Sequence, residues 1–365
     1  MRKRRSITTA STPRFNWIRR HKKRAVILGS LIVLLLISGV VTAVFMNNRD
    51  MSMFEAIAVE TPEPEPEPII YYSPLTGNIV KDEAASKQPA TAIMIENSPD
   101  ARPQSGLKDS GIVFEAIAEG GITRFLVIYQ EQKPGLVGPV RSLRMYYVDW
   151  LAAFNASVAH VGGSAAALTE IRNGTYRDID QFFNPGTYWR ATDRYAPHNV
   201  YTNFERLDAL NKAKGYTSSS FTGFTREDSQ PAETPDATRI NVTVSSQLYN
   251  SSYTYDAKTN TYHRSQGGAA HLDRESGQIS PSVVIAMEVS EQRVFEDGWR
   301  EQINSVGKGT ATIFQNGTAK EVTWQKKSRK EQITFTDAAG KDVPLARGQT
   351  WITAVPKSSG AVSWQ

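Results

Sequence analysis

Cysteine is absent from this 365-residue chain. Disulfides, thiolate metal sites and sulfur-linked lipids are therefore closed to it, and its folded part must rest on ordinary apolar cores. Acidic residues are absent from positions 1–24, which hold ten Lys or Arg. Histidine is scarce, with five in all, and no HExxH or similar spacing occurs, so no metal and no cofactor is expected. The Walker loop and the dinucleotide glycine fingerprint are missing too.

The charge that is present is unevenly placed. Setting the ten basic residues of 1–24 aside from the 42 leaves 32 against 37 Asp or Glu, so the basic balance belongs to the tail. Nucleic acid is not an expected partner of the body. Residues 25–46 (AVILGSLIVLLLISGVVTAVFM) carry no charge. At 1.5 Å per residue they are long enough for a hydrocarbon core of about 30 Å. A buried core helix would show a polar face, and a cleavable signal peptide would be shorter and end in small residues. This run ends Val44, Phe45, Met46.

The expectation is a single-pass signal anchor at 25–46 with a cytoplasmic tail at 1–24 and the rest of the chain outside the cell membrane. Residues 47–70 include ETPEPEPEP. Such a Pro-Glu alternation forms a stiff extended spacer.

Three further segments follow. Residues 71–216 read as an α+β or α/β domain, and 217–238, rich in Ser, Thr, Pro and Asp, as a linker or long surface loop. Residues 239–365 show short alternating strands with turn signals such as Asn316-Gly317, which predicts an all-β antiparallel sandwich or barrel.

Within the first domain TAIMIE (91–96), Ile112–Glu119 and Ile122–Gln130 read as strands, the last two joined by Gly120-Gly121 in a two-residue hairpin. A regular register sets Glu119 opposite Ile122, Ile117 opposite Arg124 and Glu115 opposite Leu126. Glu115, Glu119 and Arg124 then project from one face. A salt-bridged sheet face is the bland alternative to a site.

Arg141 and Arg144 fall at the amino end of a helix over 145–154, where cations are disfavoured unless an anion or a nearby acid pairs with them. His160 ends a strand before Gly162, Gly163 and Ser164, a glycine-serine turn whose N–H groups suit an anion. A loop with Tyr188, Trp189, Tyr195 and Tyr201 carries His198 and Asn199 and resembles a ring-stacking surface. His271 and Asp273 either reach this cleft or lie on a surface loop.

The segments IENSPDARPQSGL, VFEAIAEGGITRFL, GPVRSLRMYY, HVGGS and RYAPHNVYTN, with GKGTATIFQNG and GQTWI later on, resemble the YerB-like lipoprotein family of bacteria. The resemblance spans roughly residues 71–365. It implies a two-part extracytoplasmic protein of a family without assigned function. It also marks Glu96, Arg102, Gln104, Glu115, Glu119, Arg124, Arg141, His160, His198 and Asn199 as matching positions. A lipoprotein needs a lipid-bearing cysteine, and this sequence offers a helix instead.

Three readings stay open. The first is binding of an anionic or glycan ligand of the cell envelope through Arg102, Gln104, Arg124, Arg141, Arg144, Gly162, Gly163, Ser164 and Asn199. The second is a hydrolase or transferase using His160 or His198 with Glu96, Glu115 or Glu119. The third is a structural scaffold.

Overall fold

Near-continuous apolar runs over 91–96, 112–119 and 122–129 build three strands: β1 (Thr91–Glu96), β2 (Ile112–Glu119) and β3 (Ile122–Tyr129). In the computed structural model, which describes residues 68–294 and 300–365, all three are central and buried on both faces. The expected tail and membrane span, and the spacer as far as residue 67, lie outside the described residues. Among the described residues no helix is long and apolar enough to cross a membrane.

After β3 come α1 (Met145–Leu151), β4 (Ser157–His160), α2 (Ala165–Asn173), β5 (Arg177–Asp180) and α3 (Phe204–Ala213). Side chains close the open amino ends of two of these helices. Ser164 accepts from the Ala167 N–H and Asn203 from the Arg206 N–H, satisfying donors that the helix itself leaves free.

The later half supplies β6 (Arg239–Thr243), β7 (Ser251–Asp256), β8 (Thr261–Gln266), β9 (Val283–Val289), β10 (Gly307–Gln315), β11 (Thr318–Lys326), β12 (Thr334–Thr336), β13 (Thr350–Pro356) and β14 (Ala361–Trp364). The protein is mostly β, with few helices. Among the described residues one twelve-stranded mixed sheet runs β12-β11-β10-β9-β13-β2-β3-β1-β4-β5, with the antiparallel pair Glu291–Val294 and Arg300–Ile303 attached beside β2. A second, five-stranded antiparallel sheet holds Ala269–Ala270, β8, β7, β6 and β14.

The expected free-standing antiparallel sandwich or barrel is corrected by this topology. Strand β13 pairs in parallel with β9 and also with β2, so the large sheet passes from one half of the chain into the other. Pro68–Gln365 form one compact unit. The 217–238 segment lies along that unit, with Phe224 packed on Phe154 and Phe335 and Arg226 paired to Leu345.

Burial follows strand parity. Phe114, Leu126 and Ile352 face α1 and α2, where Trp150 stacks on Phe114 at 5.2 Å. Val113, Phe125, Val127 and Trp351 face the other way, toward Phe204 and Leu207 of α3. The five-stranded sheet packs Ile240, Val242 and Tyr253 against Val284 and Phe314.

The hairpin turn is as expected, with Gly120 and Gly121 at φ +58° and +78°. The register is not. Arg124 lies opposite Ala116, Thr123 opposite Ile117 and Phe125 opposite Glu115, because the ladder shifts between Ile117 and Glu119. The extra residue is a β-bulge at Ala118, and it reverses the parity of everything before it. Glu119 and Arg124 therefore share one face, and Glu115 is on the other. The Tyr146 hydroxyl donates to Ile117 O at 2.5 Å and that of Tyr147 to Ala116 O at 3.1 Å, closing backbone acceptors at the disrupted ladder.

Candidate functional site

The bulge divides the expected cluster into separate assemblies. On the α1 face, Arg124 donates to Glu119 at 2.7 Å and to Ser142 O at 2.7 Å. Arg144 grips the second Glu119 oxygen through Nε at 3.1 Å and through Nη2. Burial acts to raise the Glu119 carboxyl, but the two guanidinium charges and their hydrogen bonds prevail and hold it at about 2. Arg124 and Arg144, expected to hold a ligand, are thus engaged by the protein's own carboxylate and backbone carbonyls.

His160 closes another assembly, the one expected to receive an anion. Its ring is inaccessible, with Nδ1 2.8 Å from Gly162 O and Nε2 3.0 Å from Asp178. Asp180 accepts from the Gly162 N–H at 3.1 Å and pairs with Arg172, while the Ser164 N–H donates to Leu143 O. The turn at Gly162, Gly163 and Ser164 therefore already holds a carboxylate belonging to the chain. Burial tends to raise the Asp178 carboxyl, yet the His160 hydrogen bond and charge bring it below the usual range.

The opposite face carries a connected polar network with every direction fixed. Glu115, fully buried, accepts from Thr123 Oγ1 at 3.0 Å, Arg264 Nη2 at 2.9 Å and Trp351 Nε1 at 3.0 Å. The Arg264 Nε donates to His271 Nδ1 at 2.9 Å, and His271 Nε2 lies 3.1 Å from Gln104 Oε1. An arginine can only donate, so Nδ1 is the acceptor and Nε2 carries the proton. Burial, then the charges of Arg264 and Arg102, push the His271 pKa well below its ordinary value.

The Gln104 amide donates in turn to Glu96 O and Asn97 Oδ1, and Arg102 Nε also donates to Asn97 Oδ1. Asn97 Nδ2 donates to Thr123, which closes the loop back to Glu115. Arg102 stacks over Tyr249 at 5.2 Å.

This network reaches the surface at Glu96. Its Oε1 lies 2.8 Å from His198 Nδ1, 3.0 Å from Ser98 Oγ and 3.2 Å from Arg141 Nε, while Oε2 is buried without a hydrogen bond. His198 is 22% exposed, and its Nε2 stands 3.9 Å from Asp100. Both residues line a cavity of about 700 Å³ with Pro103, Asp193, Arg194, Tyr195 and Arg274.

Asn199 shapes the loop that carries these groups. Its amide donates to Ala191 O and Arg194 O, and its Oδ1 accepts from Arg190 at 2.7 Å. Arg194 ties the same loop to Asp100 O and Pro103 O.

Glu96, Arg102, Gln104, Arg141, His198 and Asn199 thus stand at or directly behind one cleft, and Glu115 supports it from within. Glu119, Arg124, Arg144, His160 and the Gly162–Ser164 turn do not. Sequence reasoning missed Asn97, Arg264, Trp351, Arg194 and Arg274. Arg264 left one trace: Tyr262, Arg264 and Gln266 share the buried parity of β8, and an arginine in an apolar phase signals an internal partner. His271, one of two options from sequence, is buried and belongs to the network.

Residues 75–217 match the N-terminal domain of a family described as protein of unknown function (DUF3048), and residues 240–352 match its C-terminal domain. The chain is 35% identical over 295 residues to a Bacillus subtilis (strain 168) protein named "Putative lipoprotein YerB", covering 79% of this chain and 87% of that one. The crystal structure of YerB protein from Bacillus subtilis is similar to it with a TM-score of 0.71 and 31% identity, across 80% of this chain and 99% of that one.

Proposed function

We propose that this chain, which belongs to the DUF3048 family through both the N-terminal and the C-terminal domain, is a cell-envelope protein that binds a glycan in the cleft beside His198. The observation that carries the reading is the mixed wall of that cleft. Arg194 and Arg274 offer donors, Asp100, Asp193 and the His198 Nε2 offer acceptors, and the Tyr195 ring is 91% exposed at the same cleft.

A bare anion would meet the two carboxylates as well as the arginines. A polyhydroxylated ring uses both kinds of partner and stacks on the tyrosine. Glu96 is a positioning residue here, holding His198 and Arg141 at the rim.

The placement in the envelope rests on residues 25–46 as an uncleaved anchor, with 1–24 in the cytoplasm. The relative named a lipoprotein is in keeping with an extracytoplasmic, membrane-attached body. With no cysteine in the sequence, the helix replaces the lipid.

The test is calorimetric titration with the peptidoglycan disaccharide, whose muramic acid adds one carboxylate to the hydroxyls. His198→Ala and Arg274→Ala are expected to weaken binding at least tenfold with circular dichroism and Tm unchanged. A wild type that takes no glycan fragment, or variants that bind as well as wild type, would overturn the reading.

One observation favours a catalytic variant of the same reading. His198 Nδ1 is held by Glu96 while Nε2 turns to the cleft, the arrangement of an imidazole base oriented by a carboxylate. Glu96→Gln that keeps glycan affinity but abolishes release of shorter sugars would support it. Absence of product from wild type would exclude it.

A further inference from the structure

A second cavity adjoins the first. It measures about 420 Å³ and is lined by Leu136, Trp189, Arg190, Thr192, Tyr201 and Glu275, together with Asp193 and Arg274, which also line the larger one. The shared wall is the Arg274–Asp193 ion pair, 2.5 Å long with side chains 37% and 50% exposed. A pair this open to solvent contributes little to stability. A ligand that offers hydrogen bonds of its own can therefore replace it at little cost.

The smaller cavity is furnished for a ring. Trp189 lines it while the Arg206 guanidinium lies over the indole at 4.8 Å, which fixes the plane. Tyr201 is buried, and its hydroxyl makes no well-formed hydrogen bond although the Arg274 charge is close by. Arg190 and Glu275 supply a donor and an acceptor, repeating the mixed chemistry of the first cavity. Each volume falls within the range of about 300–1,000 Å³ that encloses one small ligand, so the pair is larger than a single sugar unit requires.

We propose that the two cavities are consecutive subsites of one groove, and that the ligand is a linear glycan of at least four sugars crossing the Arg274–Asp193 pair. The inference rests on the glycan reading above and adds the length of the chain and the direction in which it lies, from His198 past Arg274 to Trp189.

The test uses peptide-free peptidoglycan strands of two, four and six sugars, titrated into the folded protein. Wild type is expected to bind the four-sugar strand at least tenfold more tightly than the two-sugar strand. Trp189→Ala is expected to abolish that gain while leaving two-sugar affinity as it was. Thr192→Trp, at an exposed position in the wall, is expected to do the same by filling the second cavity, and so serves if loss of Trp189 perturbs the fold. Equal affinity for all three strands in wild type, or a gain with length that survives both variants, would overturn the inference and leave the glycan reading standing. Failure of every strand to bind would overturn both.

Discussion

The Arg264 guanidinium lies 2.9 Å from the Glu115 carboxylate with neither side chain exposed, and the two residues are 149 positions apart. This pair connects β8 in the five-stranded sheet to β2 in the large sheet. Removing one partner leaves an uncompensated buried charge, which costs about 3–5 kcal/mol. Arg264→Met and Glu115→Leu are each expected to lose that much in urea denaturation. The double variant is expected to lose clearly less than the sum, because no lone charge remains. Additive losses would mean that the pair is not coupled.

His271 is expected to stay neutral. Its folded pKa lies well below the ordinary 6.5 because burial and two arginines oppose the cation. A depressed histidine contributes stability that is complete above the unfolded pKa and declines as pH falls below about 6.5. In NMR spectra its ring signals are therefore expected to show no titration between pH 8 and 5.5. A midpoint near 6.5 would contradict the directed network.

Glu119 sets the opposite limit. Its carboxyl is held at about 2 against an ordinary 4.5, so its contribution is complete above pH 4.5 and is lost as pH falls toward 2. Wild type is expected to exceed Glu119→Gln in unfolding free energy by at most about 2 kcal/mol near pH 6, after discounting for the part of the side chain that solvent screens. The gap should close near pH 2. A gap independent of pH would assign the stability to packing instead.

The two histidines first considered as bases separate by experiment. His160, inaccessible between Gly162 and Asp178, is expected to cost about 2–4 kcal/mol when changed to Ala, through lost packing and an orphaned acceptor. Affinity for the disaccharide should persist in the folded fraction. His198→Ala should show the reverse pattern. Thermal unfolding alongside titration distinguishes them.

Local rules read much of this chain correctly. The strands at 91–96, 112–119 and 122–129, the Gly120-Gly121 turn and the helix behind Ser164 follow from side-chain period, glycine's tolerance of positive φ and a capping hydroxyl. All of these act within a few residues. The cleft was legible in part: His198 and Asn199 stood out in a loop of aromatics and prolines, and Glu96 as a candidate acid and a position matched by the family resemblance.

Only the tertiary structure decided which side chains meet. A single added residue at Ala118 turned Glu115 away from Glu119 and Arg124, and strand parity before a bulge cannot be known without the partner strand that defines it. The parallel pairing of β13 with β2, the reach of Arg264 and His271 into the first half, and the pairing of both Arg124 and Arg144 with Glu119 were likewise settled in space. Charged groups out of water must find partners wherever the folded chain supplies them, and sequence distance places no limit on that search.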